Sequence, residues 1–288
     1  MMSNSLEEEF PQEMIFIKES TKEQILMSDE QEVHCFYSTK HAGSNNPTIF
    51  FIQGAGPGIY SWTDFWDELY KEFDLVIIDS REKPTINLGR KKQCTIHRIA
   101  LDIVETMHHL KIKEENSIFI GSSFGVYYVA HCLGQNWMKP RECFFIGPFV
   151  RSSYPKISTQ LAFMLPTFIL ERVGGKIAMR YLRNRVAPGF QKKVYYERMT
   201  NIDVGRWKRC SKMRKWTALE DYQKINCPVT IFTTPDDKYH RLEKTREVSN
   251  LIENSSLIEV PNYNFMHIKP GVEEFAEMIK KQIHTIDE

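Results

Sequence analysis

The chain has 288 residues, 42% of them hydrophobic and 26% charged, a balance that fits a water-soluble globular protein of one large or two small domains. No stretch approaches the ~18 uninterrupted apolar residues that a membrane span requires. The acidic start, M-M-S-N-S-L-E-E-E-F, is unlike a basic targeting peptide, so a cytoplasmic location is expected. The six cysteines, at 35, 94, 132, 143, 210 and 227, are scattered and lie mostly in apolar runs. Such spacing suits reduced, buried thiols better than a disulfide framework or a zinc site.

Short apolar runs alternate with longer amphipathic ones. Strands are predicted at Met14–Ile17, Val33–Tyr37, Thr48–Ile52, Leu75–Asp79, Ser117–Ile120, Cys143–Ile146, Val229–Thr233 and Leu257–Val260. Helical patterns fall at Trp62–Phe73, Ile96–Leu110, Val126–Leu133, Arg241–Ile252 and Val272–Ile283. The clearest has Ile96, Ile99, Ala100, Ile103, Val104, Met107 and Leu110 on one stripe. This alternation implies crossover units and a mostly parallel sheet with helices on both faces. The first strands have no helix between them, which predicts an antiparallel hairpin at one edge.

The rhythm stops between Phe149 and Cys227, a stretch of helical composition broken by Pro155, Pro166, Gly174-Gly175 and Pro188-Gly189. A helical cap over 150–226 is expected, inserted in a core made of 1–149 and 227–288. From Arg151 to Trp216 there are 16 Lys/Arg and 3 Asp/Glu, a balance of +13 that leaves −12 elsewhere. Such a face is commonly just solvated. With Phe163, Leu165, Phe168, Ile169 and Leu170 it also has the composition of a cationic lid that meets an anionic membrane surface or steers an anionic substrate.

The sequence S-I-F-I-G-S-S-F-G at 117–125 carries the chemistry. An apolar strand runs into Gly-x-Ser-x-Gly and then directly into a helix, the setting in which Ser123 would be held on a strained elbow as a nucleophile. A serine hydroxyl needs a base, and the base an orienting acid. Asp236 and Asp237 end the strand C-P-V-T-I-F-T-T, and His267 follows the last strand, giving the order Ser…Asp…His. His240, three residues past Asp237, is the substitute base. The glycine-rich Q-G-A-G-P-G at 53–58 would offer the Ala55 amide, and the elbow the Phe124 amide, to an oxyanion. Each candidate has a plainer rival: a turn serine, capping aspartates, a satisfied histidine. Gly54, Gly56 and Gly58 lack the spacing and lysine of a phosphate loop, and His108-His109 lacks metal-binding spacing. No metal, organic cofactor or nucleic-acid partner is expected.

These motifs resemble the α/β-hydrolase superfamily over most of the chain. Q-G-A-G-P-G resembles its H-G-x-P-G loop, D-S-R at 79–81 its D-x-R, G-S-S-F-G its elbow, and T-P-D-D at 234–237 its G-x-x-D acid turn. Gln53 and Thr234 depart from the pattern. The alignment favours Asp237 over Asp236 as acid. The resemblance implies an α/β-hydrolase fold with a cap and a catalytic Ser123, His267 and Asp237. Ala55 and Phe124 would form the oxyanion hole, with Gly54, Phe163 and Phe168 at the substrate. The implied reaction is hydrolysis of a carboxylic ester or thioester with an apolar acyl group, its substrate a small-molecule ester or a lipid-like one. Lyase chemistry on the same residues stays open. A fainter likeness, in A-F-M-L-P-T-F-I-L-E-R-V and N-F-M-H, is to the maspardin family. It implies an adaptor that binds a protein partner or anionic membrane through the basic cap, although His267 sets this chain apart.

Overall fold

The structure, a computed structural model, describes residues 14–54, 61–151, 164–170, 172, 180, 203–237 and 240–285. Eight strands form one sheet: β1 (Thr21–Leu26), β2 (Glu32–Tyr37), β3 (Thr48–Ile52), β4 (Leu75–Asp79), β5 (Ser117–Ser122), β6 (Glu142–Ile146), β7 (Val229–Thr233) and β8 (Ser255–Glu259). Their spatial order is β1-β2-β4-β3-β5-β6-β7-β8. Strands β3 to β8 are mutually parallel, while β1 and β2 form the expected edge hairpin and β2 joins β4 antiparallel.

Side chains of a strand point alternately to its two faces, and here both faces are covered. Phe50 and Ile52 of β3 enter one apolar core, Ile49 and Phe51 the other. The first core lies under α3 (Ile96–His109) and α4 (Phe124–Gly134), the second under α2 (Thr63–Tyr70) and α7 (Gly271–Thr285). The predicted stripe on α3 is the buried one, with Ile96, Ile99, Ala100, Ile103 and Met107 all in the first core. Thr95 caps that helix, its side chain accepting from the Arg98 amide.

Three expectations change. Of Met14–Ile17, read as a strand, Ile15–Ile17 belong instead to helix α1 (Ile15–Glu19), with Met14 at its N-cap. The Asp67 carboxylate of α2 accepts from the Ile15 and Phe16 amides at 3.0 and 2.8 Å, satisfying donors that a short helix otherwise leaves exposed. The hairpin strand that precedes β2 is Thr21–Leu26. Of the six cysteines, Cys35, Cys132, Cys143 and Cys227 are free thiols, as expected, but Cys94 and Cys210 form a disulfide. They stand 116 positions apart, too far for spacing to pair them.

Much of the expected cap lies outside the described residues. Its last part is woven into the core. Helix α5 (Val204–Cys210) is capped by the Asp203 side chain, and α6 (Leu219–Tyr222) packs against α4. Arg151 and Thr217 form an antiparallel bridge, and Tyr222 donates to the Phe149 carbonyl. His131 of α4 meets the Asp221 carboxylate through Nδ1 at 3.1 Å. Among the described residues no helix is long and apolar enough to cross a membrane.

Candidate active site

In a parallel sheet, ligand chemistry gathers at the carboxyl ends of the strands. Ser123 follows β5 with φ 53° and ψ −116°, on the positive-φ side where non-glycine residues rarely sit. Holding a non-glycine residue there costs roughly 1–3 kcal/mol, which the flanking strand and helix must offset. They do so through the Ser123 amide, which donates to the Ile146 carbonyl of β6, and the Val126 amide, which donates back to Ser123. The hydroxyl is thereby lifted off the sheet. Phe124 opens α4, so its N–H is among the amides a helix leaves without an internal partner, beside the nucleophile.

The Ser123 Oγ lies 2.8 Å from His240 Nε2, and His240 Nδ1 lies 2.7 Å from Asp237 Oδ2. The other Asp237 oxygen accepts from the His240 amide at 3.2 Å. Because a carboxylate only accepts, Nδ1 carries the ring hydrogen and Nε2 presents its lone pair to the hydroxyl. Room for the ring comes from Gly147 at the end of β6. Its φ is +59°, and an added Cβ would stand 2.8 Å from His240 Cγ.

Thus the histidine that bonds the serine is His240, the substitute base, rather than His267. The late imidazole is 2% exposed and belongs to the same cleft, but its Nδ1 donates to the Ser61 carbonyl at 2.8 Å. Its ring lies 4.1 Å from that of Trp62 and stacks on Tyr263 at 4.3 Å. Packing and a backbone partner commit it to the wall. The two aspartates are also separated. Asp236 accepts from the Thr234 hydroxyl and from the Tyr263 amide, tying the β7 loop to the turn at Tyr263–Met266. Of these two, Asp237 is the one bonded to the His240 ring.

The cleft is open to solvent, and Trp62, Ile146, Phe232, Tyr263 and Met266 give it apolar walls around Ser123. Gly54 lies against the nucleophile, where a Cβ would come within 3.0 Å of Ser123 Cβ. Ala55 and Phe163 lie outside the described residues. Phe168, expected at the substrate, is 69% exposed and does not line the cleft; a four-residue helical turn at 167–170 holds it on the surface. Among the described residues no cluster of His, Cys, Asp or Glu could hold a metal.

No protein-family model matches the sequence, and no curated protein matches it either. Solved structures do resemble it. An esterase from Exiguobacterium antarcticum superposes with a TM-score of 0.72 at 13% identity, covering 92% of this chain and 100% of its own. An enol-lactonase from Burkholderia xenovorans LB400 gives 0.68 at 16% identity, covering 91% and 100%. A putative lipase from Acinetobacter baumannii AYE gives 0.68 at 15% identity, covering 92% of each. These likenesses, the strand order and the elbow agree: this chain has the α/β-hydrolase fold.

Proposed function

We propose that the protein is a serine hydrolase acting on a carboxylic ester or thioester with an apolar acyl group. Ser123 Oγ attacks the carbonyl carbon while its proton passes to His240 Nε2. Asp237 holds the ring and offsets the charge of the imidazolium. The carbonyl oxygen, now negative, is held by the Phe124 amide and, as the sequence pattern suggests, the Ala55 amide. Collapse expels the alcohol or thiol, which takes the proton from His240, and leaves an acyl-serine. Water, deprotonated by the same imidazole, then releases the acid.

What supports this reading is one chain of contacts, 2.8 Å from serine to imidazole and 2.7 Å from imidazole to carboxylate. A structural serine has no use for a histidine whose second nitrogen is fixed by a buried acid. The apolar walls favour an apolar acyl group, since burying it there contributes ~25 cal/mol per Å² removed from water.

A fluorophosphonate probe tests the reading. The native protein should label on Ser123, and Ser123→Ala should not label. A folded native protein that resists the probe would overturn the hydrolase reading and favour a non-catalytic adaptor built on the same fold.

A further inference from the structure

β6 and β7 begin alike, each with a cysteine at the head of an apolar run: E-C-F-F-I in one, C-P-V-T-I-F-T in the other. The strands are parallel neighbours with Cys143 opposite Val229, so the two heads meet at the amino end of the sheet, away from Ser123. The Cys143 amide donates to the Pro228 carbonyl at 2.9 Å, which fixes the backbones against each other. Beside that bond, Cys143 Sγ and Cys227 Sγ stand 3.8 Å apart although 84 positions separate them in the chain. The chemistry above uses neither sulfur.

The two thiols differ. Cys143 has no exposed surface, while Cys227 is half-buried between exposed Asn226 and Pro228. The hydrogen bond from Cys143 holds the Cys227 thiol below its ordinary value, and burial pushes Cys143 well above its own. Buried Glu142 opposes ionisation of both without reversing that order. Since the thiolate is the nucleophile, the reactive sulfur is the one nearer solvent. Cys35 and Cys132 are 0% exposed, and burial pushes both up.

We propose that Cys227 and Cys143 are a peroxide-reactive dithiol that closes to a reversible disulfide between β6 and β7. The Cys227 thiolate attacks one oxygen of hydrogen peroxide and the O–O bond breaks. The sulfur becomes a sulfenic acid, and the other oxygen leaves with a proton as water. The Cys143 sulfur then attacks the Cys227 sulfur. An S–S bond forms, the S–O bond breaks, and the hydroxyl departs with the Cys143 proton as a second water. In balance, two thiols and one hydrogen peroxide give one disulfide and two waters. Closure brings the sulfurs from 3.8 Å to the ~2.05 Å of a disulfide. The chain ahead of β7 has room for that shift, because Gln223, Lys224, Asn226 and Pro228 are all exposed. The link lies three strand positions from Ile146, about 10 Å at ~3.3 Å per residue, and so leaves the triad untouched. It stands independently of the hydrolase reading.

Full-length native protein is treated with about a tenfold excess of hydrogen peroxide, and its unreduced peptides are mapped by mass spectrometry. A peptide linking Cys143 to Cys227 should appear, two of the four free thiols should disappear, and a reductant should restore both. Cys143→Ser should stop at a Cys227 sulfenic acid, captured by dimedone, with no link. Cys227→Ser should slow the loss of the Cys143 thiol about 100-fold or more. The native protein decides the matter even where a variant misfolds. No linked peptide in folded native protein would overturn the proposal, as would sulfinic acid at Cys227 in its place. Oxidation spread equally over Cys35 and Cys132 would do the same, and so would a folded Cys227→Ser protein whose Cys143 reacts at the native rate.

Discussion

The loop after β7 and the turn after β8 each bring a histidine to one cleft, and hold it in opposite ways. His240 gives one ring nitrogen to a carboxylate and the other to the serine hydroxyl. His267 gives Nδ1 to a neutral backbone carbonyl and its ring faces to Trp62 and Tyr263. A carboxylate stabilises the imidazolium that forms when a proton arrives; a carbonyl does so far less. Position along the chain nominates a base, but the partner at its far nitrogen selects it.

Paired substitutions break this comparison most directly. His240→Ala should cut kcat by roughly 10⁴-fold or more, since a nucleophile and its base act as a unit. His267→Ala should cost about tenfold or less in rate. Its main effect should be a drop in melting temperature and a raised KM, because it hollows the wall beneath Trp62 and Tyr263. Steady-state kinetics with thermal denaturation separate the two. The reverse ranking would restore the late histidine as the base.

The neighbouring aspartates sharpen the same contrast. Asp237→Asn preserves shape but removes the charge behind the imidazole, and should lower kcat by about 10³- to 10⁴-fold. Asp236→Asn should leave kcat within a fewfold and cost about 1–2 kcal/mol, because it weakens acceptance from the Tyr263 amide and Thr234 hydroxyl. Urea titration and kcat on the two variants check this. Equal losses of kcat would mean that both carboxylates serve the ring.

What was legible in the sequence was what neighbouring residues decide. The apolar run of β5, the elbow and α4 are consecutive, so their order alone placed Ser123. The inner parallel strands, β3 to β7, read as nearly continuous apolar runs because both their faces are buried. β1 was missed because T-K-E-Q-I-L lies at the sheet's edge, mostly exposed, with only Ile25 fully buried. I-F-I near the N-terminus looked like a strand because the carboxylate that makes it helical, Asp67, lies about 50 positions on. His240 was visible three places after Asp237. What the sequence could not display was the gap left by Gly147, on another strand, into which that ring folds.

The Cys94–Cys210 link offers the smallest expected effect on rate and the cleanest separation of stability from chemistry. It joins α5 to the loop that carries Lys83, on the side of the sheet away from the β7 loop in strand order. The Lys83 ammonium donates to the carbonyl of Gly54, which lies against Ser123. Closing 116 residues removes much of the unfolded chain's freedom, so opening the link should cost about 2–4 kcal/mol. Rate should move little, because the loop keeps other anchors: Arg206 on the Lys83 carbonyl, Arg209 on the Leu88 and Gly89 carbonyls, and Arg81 on Asp29 and Asp102. Cys94→Ser with Cys210→Ser should therefore unfold at lower urea than the oxidised protein while labelling at nearly the same rate. Reductant should reproduce the effect in the native protein and do nothing further to the double variant. A labelling rate that fell with the link would show that the disulfide, rather than the arginines, holds the Lys83 loop in register with Ser123.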